Sequence, residues 1–166
     1  MTPSRPYHVL VVCTGNTCRS PMAEGILKAL FEEKGIAGEV RSAGTYALSG
    51  GPAQPYAIET AAAASLDITD HVARQLDEEL VRWADTVLCM TRSHARSVRE
   101  IDSTAEVRLV ADWAPEGVAH GGEIRDPMGW DEEVYRAVFD ELRACLEGFA
   151  ADHAARPWGA SPSTEA

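Results

Sequence analysis

The sequence predicts an α/β fold built on a parallel sheet, in one three-layer domain. Short apolar, β-branched runs alternate with longer segments of helical spacing, the pattern of successive βαβ units. The clearest run, "HVLVV", is apolar throughout instead of alternating, as expected of a strand covered on both faces. A chain of 166 residues, 45% apolar and 25% charged, can bury one proper core.

The elements follow in order. His8 to Val12 is the first strand. A loop follows, and Ser20-Pro21 signals a helix start, with a hydroxyl at the N-cap and proline at the first helical position. Ala23, Ile26, Leu27, Leu30 and Phe31 keep helical spacing until Gly35 ends the run. Glu39 to Tyr46 reads as a second strand entering a loop, and Leu48 to Pro55 as loop. An alanine-rich helix spans Tyr56 to Leu66, and Asp77 to Asp85 holds a short one. Thr86 to Thr91 is a third buried strand. "RSHARSVRE" is helical, "AEVRLV" is a fourth strand, and Asp131 to Ala154 is a long amphipathic helix. The domain is expected over residues 7–154, with 1–6 and 155–166 as disordered ends.

A net charge of -11 argues against nucleic acid or an anionic membrane as a partner. Any anion site must then be built locally from backbone amides and arginine. No run approaches the ~20 apolar residues of a membrane-spanning helix, and the N-terminal apolar run is too short for a signal peptide. A cytoplasmic location is expected, where Cys13, Cys18, Cys89 and Cys145 remain thiols.

The stretch "VVCTGNTCRSPMAEG" runs from the first strand into the first helix. A metal site, a disulfide and an anion-binding loop compete for it. Zinc wants about four ligands, and no second Cys or His pair stands at metal-like spacing. A nucleotide P-loop ends in Gly-Lys-Ser/Thr, whereas this loop ends Cys18-Arg19-Ser20. The anion loop fits better. Ligands of parallel sheets bind at the strands' carboxyl ends beside helix N-termini, where amides and the helix dipole favour negative charge. Gly15 permits a tight fold, and Arg19 offers a planar fork for two phosphoryl oxygens. The same groups would stabilise a Cys13 thiolate, with a further hydrogen bond from Ser20.

"VCTGNTCRSP" closely resembles the active-site loop of low-molecular-weight protein tyrosine phosphatases. "RSAGT" (Arg41 to Thr45), "HVARQL" (His71 to Leu76), "VLCMTRSH" (Val87 to His94) and "DPMGWDEEVY" (Asp126 to Tyr135) fall in the family's order. The resemblance implies a four-stranded parallel sheet of the flavodoxin-like, low-molecular-weight phosphatase fold. It implies Cys13 as the nucleophile that becomes phosphocysteine, Arg19 as the phosphate clamp and Asp126 as general acid and then base. Thr14, Gly15, Asn16, Thr17, Cys18 and Ser20 would bind the phosphoryl group, while Asn16, Ser42 and His71 would support the loop's shape. No metal or organic cofactor is implied. The partners would be phosphorylated protein substrates, and the chain a monomer or weak dimer.

Within the family, phosphotyrosine-directed members commonly carry an aromatic pair after the Asp-Pro, where this chain has Met128-Gly129. They often carry a larger aliphatic residue at the position of Thr17. "CTGNTCRSPMAE" is most similar to the protein-arginine phosphatase branch. An ionised Asp126 pairs naturally with the guanidinium of phosphoarginine, whereas phosphotyrosine needs a neutral acid. Protein-arginine phosphatase is therefore the expected activity, and tyrosine phosphatase the alternative. Arsenate reductase would need downstream relay cysteines, but Cys89 and Cys145 read as buried small hydrophobes. A catalytically silent phosphate-binding module fits poorly with Cys13, Arg19 and Asp126 all present. Cys18, five positions from Cys13, is expected to act as its redox partner.

Overall fold

The structure is a computed structural model, and it describes residues 5–155; of the ends expected to be disordered, 1–4 and 156–166 lie outside the described residues. Strands β1 (Tyr7–Cys13), β2 (Gly38–Gly44), β3 (Thr86–Cys89) and β4 (Val107–Leu109) form one parallel sheet in the order β2-β1-β3-β4. β1 is central. It pairs with β2 from Tyr7 opposite Gly38 to Cys13 opposite Gly44, and with β3 from Val9 to Val12.

The two-residue period of β1 divides its side chains between two cores. Val9, Val11 and Cys13 pack on the side of α1 (Arg19–Lys34), α2 (Pro55–Ala63) and α5 (Glu132–Ala155). Leu10 and Val12 pack on the side of α3 (Glu78–Trp83) and α4 (Arg92–Ile101). That double burial is the physical reason "HVLVV" shows no alternation.

Helix α1 buries Ala23, Ile26, Leu27, Leu30 and Phe31, the predicted stripe. It ends where Gly35 takes a left-handed conformation (φ 66°) and Ile36 N–H donates to the Phe31 carbonyl at 2.8 Å. Its start differs from the prediction. The helix begins at Arg19, Cys18 holds the N-cap position, and no side chain caps it. Ser20 therefore lies inside the first turn, its hydroxyl engaged by Asn16 and Cys13 instead of by the helix.

The predicted third strand ends early at Cys89, and Thr91 instead caps α4 by accepting the His94 N–H at 3.3 Å. The fourth strand stops at Leu109, where Val110–Trp113 forms a 3₁₀ turn; a second turn covers His120–Gly122. At the N-terminal end, Arg5 forks onto Asp85 through two bonds of 2.8 and 2.7 Å. No helix among the described residues is long and apolar enough to cross a membrane.

Candidate active site

The carboxyl end of β1 delivers Cys13 to the floor of a tight loop that closes into α1. Asn16 shapes it. This residue is fully buried, has a left-handed backbone (φ 57°), and uses every polar group it has. Its two amide protons go to Ser20 Oγ (2.8 Å) and Ser42 Oγ (2.9 Å), and its Oδ1 accepts Arg74 N–H at 2.9 Å. Its carbonyl accepts His71 Nε2–H at 2.6 Å, which fixes that imidazole's tautomer. A non-glycine residue in this backbone region costs about 1–2 kcal/mol, and the network holds it there.

The same serine also meets the sulfur. Ser20 Oγ accepts from Asn16, so its own proton is free for Cys13 Sγ, 2.8 Å away. Asn16 N–H reaches the same sulfur at 3.3 Å. Ser20 Oγ and Asn16 N–H thus both reach Cys13 Sγ. Among the described residues, no hydrogen bond occupies the N–H groups of Thr14, Gly15, Thr17 or Cys18, which are available to an anion.

Gly44 is the close neighbour that the loop requires. A Cβ there would lie 2.3 Å from the Thr14 carbonyl oxygen and 2.9 Å from Asn16 N. The loop rests on β2 through Thr45 N–H to Cys13 O (3.0 Å) and Tyr46 N–H to Thr14 O (2.9 Å).

Arg19 is buried, and its guanidinium is aimed from three sides. Nη1 donates to the Ile124 carbonyl at 2.9 Å, while Nη2 lies 3.4 Å from Thr14 Oγ1 and 3.7 Å from Asp126 Oδ2. Asp126 is half-exposed at the mouth, and its other oxygen accepts Met128 N–H at 3.0 Å. Beyond it Gly129 turns the chain through φ 83°, and Met128 and Trp130 project into solvent. Thr14, Arg19 and Asp126 share an open cleft of about 450 Å³ with Thr91, Ser93, His94 and Arg125.

Cys18 Sγ lies 3.3 Å from Tyr135 Oη, and burial pushes its thiol pKa up. Cys89 lies in the core on the opposite side of the sheet from Cys13, its pKa pushed up to about 12 by burial. Cys145 is buried within α5, its pKa raised to about 11 by burial. Neither is poised as a relay thiol. Sequence reasoning assigned no role to Arg74, Thr91, His94, Ile124 or Tyr135. Ile124 and Arg74 act through backbone groups, which carry no signal in side-chain chemistry.

An anion cradle around a buried thiol, on the carboxyl edge of a parallel α/β sheet, defines a cysteine-based protein phosphatase. The chain belongs to the low molecular weight phosphotyrosine protein phosphatase family, whose model matches residues 8–156. A protein-arginine-phosphatase of Bacillus subtilis (strain 168) is 36% identical over 142 residues, 86% of this chain and 93% of that one. The low molecular weight protein-tyrosine-phosphatase Wzb of Escherichia coli (strain K12) is 34% identical over 160 residues, 95% of this chain and 97% of that one. Among solved structures, the YwlE arginine phosphatase, as a serine-for-cysteine mutant with a phosphorylated active site serine, matches with a TM-score of 0.80. It is 34% identical, over 88% of this chain and 95% of that one.

Proposed function

We propose that this chain removes phosphate from phosphoarginine in proteins through a phosphocysteine intermediate. The observation that carries the chemistry is the convergence of Ser20 Oγ and Asn16 N–H on Cys13 Sγ, beneath a loop that Arg19 closes. In this reading Cys13 Sγ attacks phosphorus and the bond to the leaving nitrogen breaks. Asp126, as the carboxylic acid, gives its proton to that nitrogen, which departs in a guanidinium, and Asp126 is left as a carboxylate. Water activated by Asp126 then attacks phosphorus, and the S–P bond breaks to release phosphate and the thiolate. Loop amides and Arg19 hold the phosphoryl oxygens throughout.

Substrate choice must come from what surrounds the leaving group. Thr17 offers a hydroxyl in place of an aliphatic wall, and no aromatic side chain follows Pro127 at Met128 or Gly129. Asp126, already 3.7 Å from one guanidinium, is placed to pair with a second. The B. subtilis relative's name and the YwlE structure favour the same reading. One observation favours phosphotyrosine: Trp130, 63% exposed, is an aromatic within the same segment.

The test compares phosphoarginine and phosphotyrosine peptides on one purified preparation under reducing conditions. Thr17→Ile is expected to lower the first turnover and raise the second, shifting the ratio of kcat/KM values by ~10-fold, equivalent to about 1.4 kcal/mol. A wild type that prefers phosphotyrosine, or an unchanged ratio, hands the assignment to tyrosine. Cys13→Ser is expected to abolish turnover of both while still binding phosphate.

The same reading gives Cys18 a protective role. Peroxide oxidises Cys13 to a sulfenic acid, and Cys18 then displaces water to form a disulfide that thiol reductant reopens. Peptide mapping should find Cys13 joined to Cys18, and a Cys13–Cys89 link would overturn this. Four free thiols fit a cytoplasmic location.

A further inference from the structure

We infer that His94 is a positioning residue, whose neutral imidazole accepts the Thr14 hydroxyl proton and so holds Thr14 as an acceptor for Arg19. The inference rests on reading Arg19 as the phosphate clamp.

His94 lies in the first turn of α4 and is 4% exposed. Its Nε2 is 2.8 Å from Thr14 Oγ1, and its Nδ1 is 3.0 Å from Thr91 Oγ1. Thr91 also accepts the His94 backbone N–H, so one residue fixes both the main chain and the ring. Thr14 Oγ1 in turn lies 3.4 Å from Arg19 Nη2.

The donor inventory orders this chain. A guanidinium only donates, so Thr14 presents a lone pair to Arg19, and its own proton is free for a second partner; we assign it to His94 Nε2. The remaining imidazole proton then sits on Nδ1 and donates to Thr91. Arg19, Thr14, His94 and Thr91 become one directional relay of hydrogen bonds, in which each bond polarises the next.

Protonating the imidazole would turn Nε2 into a donor and break the order. The site opposes that change. Burial, then the Arg19 charge, lowers the His94 pKa to about 4, against the opposing pull of Asp126 and Glu123. The imidazole therefore stays neutral near pH 7. It lines the cleft beside Arg19 without belonging to the anion loop.

The test uses the full chain with inorganic phosphate as the probe, so the choice between phosphoarginine and phosphotyrosine does not enter. Calorimetry measures phosphate binding, and kcat and KM are measured on an aryl phosphate. His94→Leu is expected to weaken phosphate binding and lower kcat/KM by about 10-fold, while His94→Gln, which keeps an acceptor, recovers most of both. Adding His94→Leu to Thr14→Val should change phosphate binding less than about 2-fold, because Thr14 is the link. The rate at which iodoacetamide alkylates Cys13 should stay unchanged, which excludes collapse of the loop. Additive losses in the double variant, or wild-type phosphate binding in His94→Leu, overturn the inference. Nitrogen NMR of the wild-type imidazole gives an independent reading that needs no variant: the proton is expected on Nδ1, and a proton on Nε2 overturns the order of the relay. The phosphatase reading fails separately, if Cys13→Ser keeps its turnover.

Discussion

Ser20 shows how much one hydroxyl decides at this site. Its place in the sequence suits a helix cap, yet its oxygen accepts from Asn16 and lies 2.8 Å from Cys13 Sγ. Asp126 is read at the same scale. Its carboxyl stands at the mouth, 3.7 Å from Arg19 Nη2. In the acid role proposed for Asp126, Asp126→Asn keeps the shape and removes the transferable proton. Hydrolysis of phosphotyrosine, whose phenolate leaves poorly, should slow by about 100-fold or more, and hydrolysis of a nitrophenyl phosphate by much less. Steady-state rates on the two substrates check this, and equal losses remove Asp126 from proton transfer.

At the scale of elements, the site is a joint between β1, α1 and β2. β1 supplies the sulfur, α1 supplies Arg19 and Ser20, and β2 supplies Ser42 and Gly44 as its supporting wall. The wall works because it is thin. With a Cβ at residue 44 only 2.3 Å from the Thr14 carbonyl, the loop or the strand must move. Gly44→Ala should therefore destabilise the fold by roughly 2–4 kcal/mol and weaken phosphate binding together. Denaturant titration and phosphate calorimetry on the same sample test it. A stable variant with normal phosphate affinity would mean the joint has slack.

Across the whole molecule, the strand order β2-β1-β3-β4 sends the chain from β1 first to one side and then to the other. The loop after β1 opens at that switch point, where amides of neighbouring connections diverge and leave a crevice. The Arg5–Asp85 pair ties the chain's start to the connection before β3. Burial pushes the Asp85 carboxyl pKa up, but the bonds from Arg5 and from His8 N–H outweigh it and leave it lowered below 3.8. A lowered carboxylate stabilises the native state above its unfolded pKa, and that contribution is lost as pH falls through the native value. The melting temperature of Asp85→Asn should thus lie below wild type near pH 7. The gap should close as pH drops below 3.8; a constant gap would trace it to packing instead of charge.

Composition and periodicity by themselves determined the sheet, the central strand and the main helices, because burial on both faces and the helical stripe are written in side-chain type. The motif residues Cys13, Arg19, Ser42, His71 and Asp126 were legible as candidates because their side-chain types suit the chemistry proposed for them. What only the tertiary structure decided is how they are held. Asn16's five polar contacts reach partners on three separate segments, and the acceptor for Arg19 Nη1 is the carbonyl of Ile124, distant in sequence. Backbone donors and acceptors are the same at every non-proline residue, so their placement is a property of the fold and leaves almost no mark in the order of side chains.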